Sequence, residues 1–195
     1  MPEPDDRTLV AAWCGGAAAA YTRLVVRHEA LLRRAVAVMA GSLARYDELL
    51  VDDIVQETCV RLLSALKKYR GDCEPASFIV SVARKAALDA VRGHKRQARK
   101  SEKAGLFALT EPDSAQDIAE DVAAGDEAKK LLALLQKLGE PDRSILYMRD
   151  AEGIEIAELC RIYGLPQGTI KSKLSRARDK LRALAGLEEA LHEAR

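Results

Sequence analysis

The chain of 195 residues lacks any long apolar segment, since no run reaches the roughly 18 uninterrupted apolar residues that a membrane-spanning helix needs. Its opening residues, Met1–Asp6, lack the basic start of a signal peptide. These two absences exclude a membrane-spanning protein and argue against secretion. We therefore expect the protein to stay in the cytoplasm.

The four cysteines form no CxxC pair and have no histidine at ligand spacing; they are Cys14, Cys59, Cys73 and Cys160. A zinc site or a disulfide framework is therefore not expected. We expect the cysteines to be small buried hydrophobic residues. The alternative for Cys73, which lies in a polar loop, is a redox-sensing role.

Catalytic patterns are also missing. The histidines His28, His94 and His192 lie in unrelated segments, no paired carboxylates face a base, and there is no glycine-rich phosphate loop. The sequence therefore predicts a protein that is not an enzyme and that carries no cofactor and no metal.

Aromatic residues are scarce at 4%, whereas hydrophobic residues make up 48% and charged residues 31% of the chain. Alanine, leucine, arginine and glutamate dominate, and these residues lose little side-chain freedom in a helix. At about 150 residues for a typical domain, the length allows one domain or two small ones. We expect an all-α protein of two small helical domains joined by a flexible linker.

The net charge of +1 hides a strong segregation of charge. Residues 92–103 carry six bases and one acid, residues 104–128 carry seven acids and no base, and residues 167–182 carry six bases and one acid. Blocks of this kind favour contacts with a polyanion at two places, separated by an acidic linker. The alternative is that each block is merely a solvated face.

Helical periodicity organises the first half of the chain. Apolar residues predict a first helical segment that a break at Gly15–Gly16 divides into a short helix and a long helix ending near Gly41. They then predict a second helix over about Glu48–Leu66 and a third over about Ala76–Arg92. The apolar stripe of the second helix is predicted to comprise Val51, Ile54, Val55, Cys59, Leu62, Leu63 and Leu66. A polar face with Asp52, Asp53, Gln56 and Glu57 lies beside it.

The strongest local signal is a helix–turn–helix over residues 154–182. Gly164 supplies the positive φ that the turn needs, and the last helix begins at Gln167. Its predicted buried seam comprises Ile170, Leu174, Ala177, Leu181 and Leu184. Its other surface offers base-edge donors near the start and cations along the flanks, a layout typical of a helix that enters the major groove. The groups in question are Gln167, Thr169, Lys171, Ser172, Ser175 and Arg176.

A second basic surface lies on or just after the third helix, beside the polar loop 70–77; it comprises Arg84, Lys85, Arg92, Lys95 and Arg96. Two basic surfaces on two tethered domains suit one DNA duplex that is contacted at two separated places. The predicted boundaries are 6–96 for the first domain, 97–126 for the acidic linker, 127–186 for the second domain and 187–195 for a tail.

These residues carry a family resemblance. The motif from Asp52 to Thr58, followed by the stretch from Val82 to Arg92, resembles region two of the extracytoplasmic-function sigma factors of bacterial RNA polymerase. The stretch from Gly168 to Arg178, with its preceding helix, is similar to their region four. The resemblance covers nearly the whole chain in the family's order and spacing. It implies a factor that binds core RNA polymerase and directs transcription initiation at promoters.

The resemblance also implies roles for particular residues. Core polymerase docking falls to Asp52, Asp53, Gln56 and Glu57. The helix 167–182 reads the minus-thirty-five element. The residues that it implies for recognition and melting of the minus-ten element are Asp72, Ser77, Arg84, Lys85, Arg92, Lys95 and Arg96. Implied partners are core RNA polymerase, promoter DNA and a restraining anti-sigma factor.

The chain departs from the family pattern at the strand-opening surface, where it has Pro75, Ala76, Phe78 and Lys85. The minus-ten sequence preference therefore does not carry over. The alternative function is a stand-alone helix–turn–helix repressor or activator, which binds duplex DNA as a dimer without polymerase and does not melt it. The sequence offers no separate dimerisation helix for that role.

Overall fold

The regular structure of the chain is helical throughout the part that the structure describes. The structure is a computed structural model, and it describes residues 3–41, 43, 48–103 and 126–193. Within these ranges there is no strand, and the chain divides into two compact units, Met1–Asp121 and Val122–Arg195. The predicted all-α class is thereby confirmed. Residues 104–125, most of the predicted acidic linker, lie outside the described residues.

The first unit contains four α-helices and one 3-10 turn within its described ranges. They are α1 (Asp6–Cys14), α2 (Ala18–Ala40), α3 (Glu48–Ala65), the turn Leu66–Lys68 and α4 (Pro75–Lys103). The first helix starts where the sequence supplies a cap, because the Asp5 carboxylate accepts the Thr8 backbone N–H at 2.7 Å.

Helix α2 forms the centre of the first unit and packs against α1, α3 and α4. Leu24, Leu32 and Met39 are fully buried, and every residue from 35 to 40 is buried as well. Each buried aliphatic side chain of this size stabilises the fold by about 1.5–3 kcal/mol relative to an exposed one. The burial of α2 therefore holds the two surface helices α3 and α4 in place.

Polar contacts tie α1 to its neighbours. The Asp6 carboxylate accepts from Arg27 Nη1 at 2.7 Å, and its other oxygen lies 2.7 Å from His28 Nε2. Trp13 packs on Tyr21 with ring centroids 5.0 Å apart. The Tyr21 hydroxyl donates to the Cys59 carbonyl of α3, and burial raises the pKa of Tyr21 to about 12.

The second unit contains four helices in its described range; they are α5 (Asp126–Gln136), α6 (Asp142–Asp150), α7 (Ile156–Tyr163) and α8 (Gln167–Glu193). Residues 143–148 of α6 are all buried, and α8 packs against the other three helices. The core of this unit includes Ile145, Met148, Leu159 and Ile170, each essentially inaccessible.

Two helices cross a predicted domain boundary, but only α4 runs further than the sequence predicts, because the tail 187–195 itself has the pattern of a helix. Helix α4 continues to Lys103 rather than ending near Arg92, so residues 97–103 of the predicted linker are helical. Helix α8 continues to Glu193, through the predicted boundary at 186. The extension of α4 is rich in lysine and arginine and that of α8 in glutamate and leucine, and these residues lose little side-chain freedom in a helix. The four predicted boundaries stay a prediction.

Two predictions about burial are wrong. Leu63, predicted to lie in the buried stripe of α3, has 40% of its surface exposed. The cysteines are not core residues, because Cys14 is exposed and Cys59, Cys73 and Cys160 are half-buried. Cys14 lies in the last turn of α1, where its thiol donates to the Leu66 carbonyl at 3.5 Å.

None of the helices in the described ranges combines the length and the apolar character that a membrane span requires.

The neighbours Leu62 and Leu63 offer a matched test of this core. Leu62 is 1% exposed, so we expect Leu62→Ala to lower the free energy of unfolding by about 2–5 kcal/mol. Leu63→Ala should cost at most about 1 kcal/mol, since that side chain already meets solvent. Urea unfolding followed by the fluorescence of Trp13 measures both. Equal losses in the two variants would contradict the burial described above.

Candidate functional site

Helix α3 places the four predicted docking residues on one stretch of helix, but their surroundings differ. Asp53 and Gln56 are exposed. Asp52 accepts from Arg33 Nη1 of α2 at 2.6 Å, and this hydrogen bond raises the pKa of Arg33. Glu57 accepts from Arg61 Nε at 2.8 Å. Asp53 and Gln56 are thus the two members of the set most available to a partner.

Exposed apolar side chains extend this surface in a way that sequence reasoning missed. Leu49 is 72% exposed, Val60 61% and Leu63 40%. Together with Asp53 and Gln56 they follow steps of four, three, four and three residues, which place them on one side of a helix. We call these five residues the α3 stripe. The spacing was present in the sequence, but the predicted buried stripe of the same helix gave the stronger pattern.

A chain of ion pairs connects α3 with α4. Arg61 donates to Glu57 and, through Nη1, to Asp89 of α4 at 2.8 Å. Asp89 in turn lies 3.8 Å from Arg92 Nη1. These hydrogen bonds raise the pKa of Arg61, that to Glu57 most strongly. The predicted docking residue Glu57 and the predicted minus-ten residue Arg92 therefore belong to one electrostatic network.

The predicted minus-ten residues line α4 and the loop before it. Five of the seven are exposed: Asp72, Lys85, Arg92, Lys95 and Arg96. Arg84 is half-buried. Ser77 is buried in the first turn of α4, so the structure does not present its hydroxyl at the surface. The accessible part of this set is mainly cationic and suits phosphate contacts.

The loop before α4 is held by contacts at both ends. The Tyr69 hydroxyl donates to the Cys73 carbonyl, and the rings of Tyr69 and Phe78 pack edge-on with their centroids 5.2 Å apart. Arg7 of α1 donates to Glu74 at 2.8 Å. The loop therefore has a defined conformation next to the basic surface of α4.

The predicted helix–turn–helix is confirmed in the second unit. Helix α7 ends at Gly164, which has φ +64°, and the backbone N–H groups of Gly164 and Leu165 donate to the Cys160 carbonyl. A positive φ is costly for residues with a Cβ, so glycine fits this turn. Leu159 and Ile170, one on each helix, are fully buried.

Helix α8 separates an apolar side from a polar one. Ile170, Leu174 and Ala177 are buried, while Leu181 and Leu184 are half-buried, so the predicted buried seam is confirmed for its first three residues and wrong for the last two. The predicted minus-thirty-five residues that lie exposed are Gln167, Lys171, Ser172, Ser175 and Arg176, and Thr169 is half-buried. In the described part of the chain, neither Lys171 nor Arg176 makes an ion pair. Both cations remain available to a ligand.

Half of the six bases between residues 167 and 182 are paired within the unit. Lys173 Nζ lies 2.8 Å from Asp142 Oδ1, Arg178 Nη2 lies 2.6 Å from Asp150 Oδ1, and Arg182 Nη1 lies 2.8 Å from Asp179 Oδ1. The first two pairs join α6 to α8, whereas the third lies within α8. Sequence reasoning counted these bases as one basic block and could not separate the paired from the unpaired.

A polar network inside the second unit holds the helix–turn–helix against α6. The Tyr163 hydroxyl donates to Ser144 Oγ at 2.6 Å, and Ser144 Oγ donates to Glu140 at 2.5 Å. The buried Arg143 guanidinium contacts Glu140 at 3.2 Å and the Leu138 carbonyl at 3.3 Å. These residues position α7, and hence α8, without reaching the exposed face.

Comparisons with known proteins agree with this geometry. The family model for sigma-70 region 2 matches residues 24–97, and the model for sigma-70 region 4 matches residues 128–181. The two models together match about two thirds of the chain. They fall on α2–α4 and on α5–α8, the elements that carry the candidate surfaces.

Curated relatives cover most of the chain. The ECF RNA polymerase sigma factor SigM of Mycobacterium tuberculosis is 27% identical over 94% of this chain and 86% of its own length. The RNA polymerase sigma factor CnrH of Cupriavidus metallidurans is 28% identical over 94% of this chain and 95% of its own length. The ECF sigma factor ShbA of Streptomyces griseus is 29% identical over 69% of this chain and 71% of its own.

Solved structures share the fold. CnrH in complex with the cytosolic domain of CnrY has a TM-score of 0.65, with 24% identity over 93% of this chain and 97% of that one. The sigma factor RpoE in complex with the anti-sigma factor NepR from Bartonella quintana has a TM-score of 0.68, with 19% identity over 85% of this chain and 96% of that one.

Two helical units, one of them with a helix–turn–helix, and matches to regions 2 and 4 define the class: the chain belongs to the sigma-70 family of RNA polymerase sigma factors. Its relatives place it among the extracytoplasmic-function (ECF) sigma factors. Its function is promoter-specific transcription initiation with RNA polymerase.

Proposed function

We propose that the first unit docks on core RNA polymerase through the α3 stripe and binds the melted minus-ten element through α4 and the loop before it. The second unit reads the minus-thirty-five element through the exposed face of α8. The chain itself catalyses no reaction; it directs the polymerase by adding contacts to promoter DNA. The site of action is the cytoplasm, where the polymerase works.

The observation that carries this proposal is the α3 stripe. A helix face with Leu49 and Val60 exposed around Asp53 and Gln56 fits a helical protein partner better than it fits DNA, because it offers no cation for phosphate contacts. A factor that acts only with polymerase needs such a face in addition to its DNA-binding surfaces.

Strand opening needs groups that hold single-stranded DNA once it has formed. Arg92, Lys95 and Arg96 lie exposed along α4, where they can follow a phosphate backbone. The loop 71–74, held by Tyr69 and by the Arg7–Glu74 pair, lies at the start of the same helix. We assign the extruded base to this loop and the strand's phosphates to α4.

A restraining partner is part of the proposal. The fold is shared with CnrH and RpoE, whose structures contain the cytosolic domain of CnrY and the anti-sigma factor NepR. An anti-sigma factor that covers the α3 stripe keeps this chain from the polymerase, since the same exposed residues serve both partners.

The α3 stripe also suits the alternative function, a regulator that dimerises through this helix and binds duplex DNA without polymerase. Run-off transcription on a promoter library, with core polymerase alone and with core polymerase plus this chain, separates the two. We expect discrete start sites only when the chain is present. Specific duplex binding by a dimer of the chain alone, without new transcripts, would favour the regulator.

The docking assignment predicts the effect of introducing positive charge into the α3 stripe. Asp53→Arg and Gln56→Arg should each weaken core polymerase binding at least about tenfold, because a buried unpaired charge at an interface costs several kcal/mol. Fluorescence anisotropy with labelled chain measures the affinity. Arg23→Glu, at an exposed position of α2, is the control for a change of surface charge. Undiminished affinity in both stripe variants would contradict the assignment.

The recognition assignment predicts a separable defect. Lys171→Ala combined with Arg176→Ala should weaken binding of a minus-thirty-five duplex by about 10- to 100-fold, since each cation contacts a base edge or a phosphate. Core polymerase binding should be unchanged, because both residues belong to the second unit, whereas the α3 stripe belongs to the first. Unchanged transcription from the cognate promoter would show that another surface reads this element.

A further inference from the structure

Helix α6 carries an acidic residue at each end, and both pair with the recognition helix. Asp142, the first residue of α6, accepts from Lys173 Nζ at 2.8 Å. Asp150, its last residue, receives both Arg178 Nη2 and Arg178 Nε, at 2.6 and 2.9 Å. The second pair is bidentate, which fixes the plane of the guanidinium as well as its distance.

The two pairs lie on opposite sides of the buried seam of α8. Lys173 and Arg178 are five residues apart, so they are separated by about 140° around the helix axis. Ile170, Leu174 and Ala177 lie in the sector between them and are buried. The apolar seam permits small rotations about the helix axis, because aliphatic contacts are not directional. A directional ion pair on each flank opposes rotation in both senses.

The surroundings of the pairs support a positioning role. The side chain of Lys173 is 19% exposed and that of Asp142 34%, so this pair is partly shielded from solvent. Arg178 and Asp150 are each 42% exposed, and their hydrogen bond raises the pKa of Arg178. Lys173 lies about 60° or more around the helix axis from Lys171, Ser172 and Arg176, whereas Arg178, seven residues after Lys171, borders their face and is held there by Asp150.

Rotation of a recognition helix matters more for sequence preference than for affinity. Phosphate contacts tolerate small displacements and carry no sequence information, whereas hydrogen bonds to base edges need defined directions. A helix that rolls about its axis therefore keeps much of its general attraction for DNA and loses discrimination between sequences.

We propose that Asp142 and Asp150 are positioning residues that set the roll of α8 and thereby the minus-thirty-five specificity of the holoenzyme. This proposal rests on the proposed function of α8. The acids act through Lys173 and Arg178 and do not touch DNA themselves.

The test compares asparagine variants of three aspartates in complete holoenzyme. Asp142→Asn and Asp150→Asn, singly and together, remove the pairs between α6 and α8. Asp179→Asn removes the same charge from a pair that lies within α8, between residues three apart. For each variant, the affinity for a promoter duplex is divided by that for a duplex with a scrambled minus-thirty-five element, across a range of KCl concentrations.

We expect every variant to bind scrambled DNA more tightly, with a salt dependence steeper by about one phosphate contact for each cation released. The ratio of affinities should fall roughly tenfold in the double variant, which is about the discrimination between sequences that one base contact provides. It should be unchanged in Asp179→Asn, because that pair does not connect two helices. Circular dichroism checks that the variants stay folded.

Charge reversal supplies a rescue. Asp150→Arg combined with Arg178→Asp restores the pair with opposite polarity, and it should recover the ratio that Asp150→Asn loses. An unchanged ratio in the double asparagine variant, or no recovery in the reversed pair, overturns the positioning role. A wild-type holoenzyme that shows no preference for the promoter duplex overturns the proposed function of α8 instead.

Discussion

The packing of aliphatic side chains along one side of each helix is the interaction on which both units depend. Leu24, Leu32 and Met39 fix α2 at the centre of the first unit, and Ile170, Leu174 and Ala177 fix α8 in the second. Because one side of each helix is buried in the core, the opposite side is exposed to solvent. The candidate surfaces on α3, α4 and α8 are these remaining sides, and their shape follows from the core beneath them.

Electrostatics then divides the charged residues into those used inside a unit and those offered outside it. Lys173 and Arg178 are held by the acids of α6, while Lys171 and Arg176 face solvent. In the first unit Arg61 joins Glu57, a predicted docking residue outside the α3 stripe, to Asp89, which lies 3.8 Å from the predicted minus-ten residue Arg92.

Local signals explain how much the sequence revealed. Gly164 and the seam that begins at Ile170 predicted the helix–turn–helix, because a turn that needs positive φ and a seam of helical period are both encoded within a few residues. Leu63 and the cysteines were misjudged, since burial depends on which neighbouring helix arrives from elsewhere in the chain. The pairing of Asp150 with Arg178 was equally hidden, because the two residues lie 28 positions apart. The roles assigned to individual docking and DNA-binding residues stay predictions.

The division of α8 into a seam and an open face has an evolutionary consequence. Substitutions at exposed positions such as Ser172 and Ser175 usually change stability by no more than about 0.5 kcal/mol. Under the proposed function of α8, substitutions at these positions therefore change promoter preference while Ile170 and Leu174 keep the scaffold constant.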